Sequence, residues 1–205
     1  MVIKLSNLAK RFHQQWIFRD LNFELKNENS YAITGPNGSG KTTLLQVIAG
    51  MQPVTKGTIQ YRSTEGLVEA DDFYKFLSFV APYLEMIEEF SLREFLNFHF
   101  SFKPITKSYT IDQIIEDSGL ADSREKRLKT FSSGMRQRVK LALSFYSEAP
   151  VIFLDEPTAN LDHHGINWYL ERMDGLKTTR LVLIGSNQPY EYEFCQESID
   201  LTDYK

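Results

Sequence analysis

Hydrophobic and polar residues alternate at the start of the chain. Ile3 and Leu5 alternate with polar neighbours over residues 2–6, which predicts an edge strand. Ile17 to Leu25 carries Phe18, Leu21, Phe23 and Leu25, and predicts a second strand. Ser30–Thr34 is a short apolar run, Gly35–Thr43 a glycine-rich turn, and Leu44–Ala49 a helix stopped by Gly50. Gly57–Tyr61 predicts a further strand, Arg62–Asp72 a polar and acidic loop, and Phe76–Val80 a buried strand ended by Pro82.

From residue 83 to 148 the pattern becomes helical. Ser91 and Glu94 make an S-x-x-E capping box ahead of Leu92, Phe95, Leu96 and His99 on one helical face. Thr110 and Gln113 repeat the device ahead of Ile111, Ile114 and Ile115, and Gly119 ends that helix. His99 reads as a packing residue, since no second ligand type sits at a matching spacing. Arg124–Lys129 reads as a solvated, basic helix face. Phe131-Ser132-Ser133-Gly134 opens a long helix through Tyr146, apolar most of the way round and so expected to be buried.

The last quarter alternates strand and helix. Val151–Leu154 is a continuous apolar run, as in a central parallel strand, and ends in Asp155-Glu156. A helix from about Gly165 to Met173, a strand Arg180–Ile184 and a polar turn Gly185–Gln188 follow. Strands alternating with helices predict an α/β fold with a mostly parallel sheet. Ligands in such folds bind at the carboxyl ends of strands, so the glycine-rich turn, Asp155-Glu156 and Asn187 are expected to converge.

Composition narrows the class. The 205 residues suffice for one domain, or one domain with a subdomain, and 42% hydrophobic with 24% charged residues is ordinary for a globular protein. A net charge of -4 gives no nucleic-acid footprint. Cys195 is the one cysteine, which excludes an internal disulfide and suits a reducing compartment. The N-terminus lacks a signal peptide's basic segment and apolar run, and no stretch reaches the roughly 18 apolar residues of a membrane span.

The glycine-rich turn carries the chemistry. It fits G-x-x-x-x-G-K-[ST], with Gly35, Gly40, Lys41 and Thr42 at the fixed positions. Glycines let backbone amides curl around an anion, and the following helix aims its free amides and positive dipole end at the same point. Lys41 adds a charge for the β- and γ-phosphates, and the Thr42 hydroxyl can ligate Mg²⁺. Asp155 ends a buried strand, where a carboxylate is costly unless a cation meets it. Glu156 lies one residue further, placed to reach a water attacking the γ-phosphate. Phe12 and Trp16 lie between the first two strands; each reads equally as hairpin packing or as a ring stacking on a nucleotide base.

Four stretches together resemble the nucleotide-binding subunit of ABC transporters, from Ile3 to about Leu201: the phosphate loop Gly35–Thr43, the signature-like Phe131-Ser132-Ser133-Gly134-Met135 with Arg136-Gln137-Arg138, the acidic strand end Val151–Glu156, and the loop Asn160-Leu161-Asp162. The resemblance implies a P-loop NTPase with a RecA-like, mostly parallel core, an N-terminal antiparallel β part and an inserted α-helical subdomain. Residues 1–81 and 149–205 would form the core and about 82–148 the helical part. It implies ATP and Mg²⁺ as ligands: Gly35, Pro36, Asn37, Gly38, Ser39, Gly40, Lys41, Thr42 and Thr43 around the triphosphate, Thr42 and Asp155 toward the metal, and Glu156, Lys41 and Asn187 in catalysis. Phe12 matches the family's base-stacking aromatic better than Trp16.

The resemblance also implies partners: a transmembrane permease subunit, met by residues 83–90, and a second ATPase subunit, identical or not, paired head to tail. Ser132 and Gly134 would face the γ-phosphate held by that second subunit, where small residues and free helix amides suit an anion. No nucleic acid is expected. The implied location is cytoplasmic, peripheral on the inner face of the cell membrane. The chain resembles the short exporter-type subunits, such as the cytochrome-c-maturation haem exporter ATPase. An ATP-dependent dimerising assembly module with little hydrolysis, or a soluble ABC-type ATPase outside transport, are the other functions this pattern admits.

Three departures from the family stand out. The usual LSGGQ is FSSGM, with Ser133 and Met135 in place of glycine and glutamine. The family's glutamine about a dozen residues before the helix glutamate falls on Pro82, and Glu85 or Glu88 are the available substitutes. The family's histidine after the last core strand falls on Asn187, which can donate a hydrogen bond but cannot become a cation.

Overall fold

The computed structural model describes every residue of the chain except Lys107. Strands β1 (Val2–Phe12) and β2 (Gln15–Lys26) form a hairpin, and β3 (Ser30–Thr34) runs through the glycine-rich turn into helix α1 (Lys41–Ile48). A second hairpin, β4 (Lys56–Ser63) and β5 (Gly66–Val68), precedes β6 (Leu77–Val80). Helices α2 (Leu92–Phe102), α3 (Ile111–Asp117) and α4 (Ser133–Tyr146) follow. The chain then runs β7 (Val151–Asp155), α5 (His163–Leu176), β8 (Leu181–Gly185), α6 (Pro189–Tyr192) and β9 (Glu197–Asp200).

The described residues build two sheets. One is antiparallel, in the order β2-β1-β4-β5; the other has five strands, all pairs parallel, in the order β6-β7-β8-β3-β9. The fold is therefore α/β, with the phosphate-loop strand inside the parallel sheet. Strand alternation divides the core. Val151 and Phe153 of β7 point into a cluster with α1 and the antiparallel sheet, while Ile152 and Leu154 pack with α2 to α5. Burial on both faces explains why this strand reads as an unbroken apolar run.

Registry places the strand ends. Gly185 of β8 lies level with Ile33 of β3 on one side and Asp155 of β7 on the other. The ends of the phosphate-loop strand and the acidic strand thus flank one glycine.

Three local expectations need correction. β1 is not an edge strand: it extends to Phe12 and pairs with both β2 and β4. Its extra length carries register shifts after Leu5, which break the simple alternation that sequence reading relies on. Residues 62–72 are not a plain loop, because β4 continues to Ser63, turns at Gly66 and returns as β5 before a 3₁₀ turn at Ala70–Lys75. Residues 124–129 form turns and the start of a short 3₁₀ segment, not a helix face. Leu128 is their one buried apolar residue, so no apolar stripe holds a helix down. Arg124 instead reaches Asp112 at 3.7 Å and Glu116 at 3.6 Å on α3.

Asp117, at the end of α3, ties the helices together. Its carboxylate accepts from Trp168 Nε1 at 2.8 Å and pairs with Arg172 at 2.6 Å, both on α5, and accepts from the Tyr146 hydroxyl of α4. Removing it strands three donors at a half-buried junction, so Asp117→Ala is expected to lower stability by about 2–4 kcal/mol in denaturant unfolding. A loss under about 0.5 kcal/mol would show the junction is held by apolar packing alone.

Candidate functional site

The phosphate loop closes around its own lysine. Lys41 Nζ donates to the carbonyls of Gly35 at 2.8 Å and Pro36 at 3.2 Å, and to Asn187 Oδ1 at 2.5 Å. Asn187 Nδ2 in turn donates to Asn37 Oδ1. Burial lowers the Lys41 pKa, opposed by the charges of Glu156 and Asp155. Phosphate loop, Asn187 and the acidic pair are thus brought to one strand edge. Gly40 sits at φ +108°, and a Cβ there would come within 2.2 Å of Ile17 Cγ2, so β2 packs directly on the loop. Only glycine meets both demands.

Asp155 is 2% exposed, and its Oδ1 has no hydrogen-bond partner among the described residues. Burial pushes its pKa up to about 6, with Glu156 and Glu191 raising it further against the Thr42 hydroxyl bond and Lys41. A buried carboxylate oxygen without a donor, beside a threonine hydroxyl, fits an oxygen-liganded divalent cation. No cluster of three acidic, histidine or cysteine ligands occurs among the described residues, so such a cation would take its remaining ligands from phosphate and water. Gly185 gives the room: a Cβ there would stand 3.4 Å from Asp155 Oδ1 and 2.8 Å from Leu45 Cδ1. Glu156 is exposed and takes φ +45°, held by its amide on the Gly185 carbonyl at 2.9 Å. Left-handed backbone costs a non-glycine residue about 1 kcal/mol and is typical of functional turns.

Glu191 was not legible in the sequence. It is 1% exposed and accepts from the Thr158 amide at 2.8 Å, the Thr158 hydroxyl and the Ser186 hydroxyl. These bonds join the loop that carries Glu156 to the turn that carries Asn187. The first of two glutamates in Pro-Tyr-Glu-Tyr-Glu carries no pattern marking it as buried.

Ser132 caps α4: its Oγ accepts from the Met135 amide at 3.2 Å, on an exposed helix start. A Cβ on Gly134 would lie 2.7 Å from the Asn160 carbonyl, so this glycine lets α4 close onto the loop after β7. Neither residue hydrogen-bonds the phosphate loop among the described residues of this chain. Phe12 ends β1, 42% exposed with Lys10 Nζ 4.8 Å above its ring; Trp16 carries Arg11 at 5.2 Å and Lys56 at 5.6 Å. His99 lies against α2's core side, its pKa pushed down to about 4 by burial and Lys103.

A sequence profile of the ABC transporter family matches residues 18–159, more than half of the chain. The chain belongs to the ABC transporter family. It is 30% identical over 213 residues to the ABC transporter ATP-binding protein YhcH of Bacillus subtilis, covering 97% of this chain and 66% of that relative, so it spans just under two thirds of that length. The cytochrome c biogenesis ATP-binding export protein CcmA of Sodalis glossinidius is 28% identical over 186 residues, covering 90% of this chain and 88% of its own. An ABC transporter ATP-binding protein from Pyrococcus furiosus has the same fold, with TM-score 0.83 at 24% identity and full coverage of both chains.

Within this ABC chain, the loop at Pro82 is held through its backbone. Lys140 of α4 donates to the carbonyls of Pro82 at 2.6 Å and Ala81 at 3.2 Å. Glu88 pairs with Arg136 at 2.6 Å, which turns it toward α4, while Glu85 is exposed. Residues 82–89 and α4 enclose a cleft of about 730 Å³. No helix among the described residues is long and apolar enough to cross a membrane.

Folded Asp155 keeps its proton up to about pH 6, against about 4 for an unfolded carboxyl. The neutral form's contribution is full at low pH and is lost as pH rises through 6. Asp155→Asn therefore raises the stability of the nucleotide-free protein by about 2 kcal/mol at pH 7.5 and by little at pH 4, in thermal unfolding across that range. An equal gain at both pH values would contradict the burial account.

Proposed function

We propose that this chain is the ATP-hydrolysing subunit of a transporter, working with a separate membrane-spanning partner. The observation that carries the reading is the convergence of Lys41, Thr42, Asp155, Glu156 and Asn187 on one sheet edge, around a buried carboxylate oxygen with no donor among the described residues. Gly35–Thr43 and the start of α1 bind the β- and γ-phosphates through backbone amides. Lys41 leaves its loop carbonyls for the phosphates, and Asn187 holds it in line. Thr42 and Asp155 would hold Mg²⁺, which when bound would neutralise charge on the phosphates and the leaving group. Glu156 accepts a proton from the attacking water, and the second N–H of Asn187 Nδ2, beside the one given to Asn37, is a donor for the γ-phosphate. Phe12 provides the exposed ring for the base.

Residues 1–81 and 149–205 act as the catalytic core and about 82–148 as a helical subdomain. The exposed start of α4, with Ser132 and Gly134, closes on the triphosphate of a second ATPase subunit in a head-to-tail pair. The stretch Tyr83–Phe90 receives the membrane partner, which would hold the chain at the cytoplasmic face. Ile87 is exposed there, as are Phe98 and Phe102 on the adjoining α2, and together they offer an apolar surface. CcmA, matched over most of both chains, is named as an export protein, which supports an exporter. Pro82 and Asn187 in place of the family's glutamine and histidine favour slow turnover by the isolated subunit.

The test is steady-state phosphate release beside nucleotide binding. Glu156→Gln is expected to cut turnover by about 100-fold or more with ATP affinity kept. Unchanged turnover would remove Glu156 as the base.

A further inference from the structure

Pro82 leaves the family's glutamine position without a polar side chain, and its carbonyl is already taken by Lys140. The next residue, Tyr83, reaches helix α1. Its hydroxyl accepts from Gln46 Nε2 at 2.8 Å, and Gln46 Oε1 accepts from Gln52 Nε2 at 2.6 Å. Gln46 stands four residues after Thr42 on α1, on the same helix face, and helical side chains lean toward the N-terminus. The bond ties the phenol to the helix that follows the phosphate loop, one turn after Thr42.

We propose that Tyr83 is a triphosphate-recognising residue of this ATP site, donating its hydroxyl proton to a γ-phosphate oxygen. The inference deepens the ATPase reading and rests on it. With its oxygen accepting from Gln46, the hydroxyl proton is turned away from α1 and free for another acceptor. Burial raises the pKa of the phenol, opposed by the Gln46 hydrogen bond and aided by the Asp155 charge, so the phenol stays a neutral donor. A neutral phenol is a poor metal ligand and a good donor to a phosphate oxygen, so its contribution is to sense the third phosphate. Tyr83 is 49% exposed, so removing its hydroxyl leaves the core unchanged. Gln46 and Gln52 act as positioning residues: they orient the donor without touching the nucleotide.

The test is equilibrium binding of a non-hydrolysable ATP analogue and of ADP, each with magnesium, to the wild-type chain and to Tyr83→Phe and Gln46→Leu. Tyr83→Phe is expected to weaken the triphosphate about tenfold and leave ADP affinity unchanged, with melting temperature preserved. Gln46→Leu is expected to weaken the triphosphate less, about threefold, again without effect on ADP. Equal affinities in wild type and Tyr83→Phe, or equal losses for both nucleotides, would overturn the assignment while leaving the ATP site standing. Failure of the wild-type chain to bind either nucleotide would overturn the ATPase reading and this inference with it.

Discussion

The structure turns on one buried carboxylate. Asp155 lies at the end of a strand covered on both faces, with an oxygen that no donor among the described residues meets. In a site of low dielectric, such a group favours its neutral form or a nearby positive charge. Everything placed around it supplies the second option in waiting. Lys41 and Thr42 come from the neighbouring helix start, and Gly185 removes the side chain that would fill the space. The nucleotide-free chain is therefore less stable at neutral pH than its packing would allow, and a metal-bound triphosphate would relieve that.

Close approach is the second constraint. Gly40 lets β2 touch the phosphate loop, Gly185 lets α1 and β7 meet over β8, and Gly134 lets α4 meet the loop after β7. Each contact packs a loop or helix start of the site directly on its neighbour. Glu191 adds a polar tie between the Glu156 loop and the Asn187 turn. Asp117 does the same for the helices on the far side of the sheet. Pro82 and Glu88, bonded to Lys140 and Arg136, are fixed to the same helix whose N-terminus carries Ser132.

Much of the parallel core was legible because its signals are local. The β3–loop–α1 unit, the apolar strand ending in Asp155 and both capping boxes rest on neighbouring residues, and both boxes form as read, at Ser91/Glu94 and Thr110/Gln113. What sequence reading missed depends on distant partners. The central place of β1 needs β4, some fifty residues on, and the β4–β5 hairpin hides in polar residues because one face is solvated. Glu191 becomes a buried hub, and Asp117 a half-buried one, only once remote elements surround them, and the chain carries no local mark of either. In the site, the residue types pointed to phosphate and metal chemistry, yet the Asn187–Lys41 bond and the reach of Tyr83 to Gln46 came only from the fold.

The most direct measurement of the central claim is calorimetric titration of ATP with magnesium and with chelator present, on the wild-type chain and on Asp155→Asn. If the unpartnered carboxylate is the cation's protein anchor, magnesium strengthens ATP binding by about tenfold or more in the wild type, and that gain collapses toward unity in the variant. The same magnesium gain in both proteins would contradict the account.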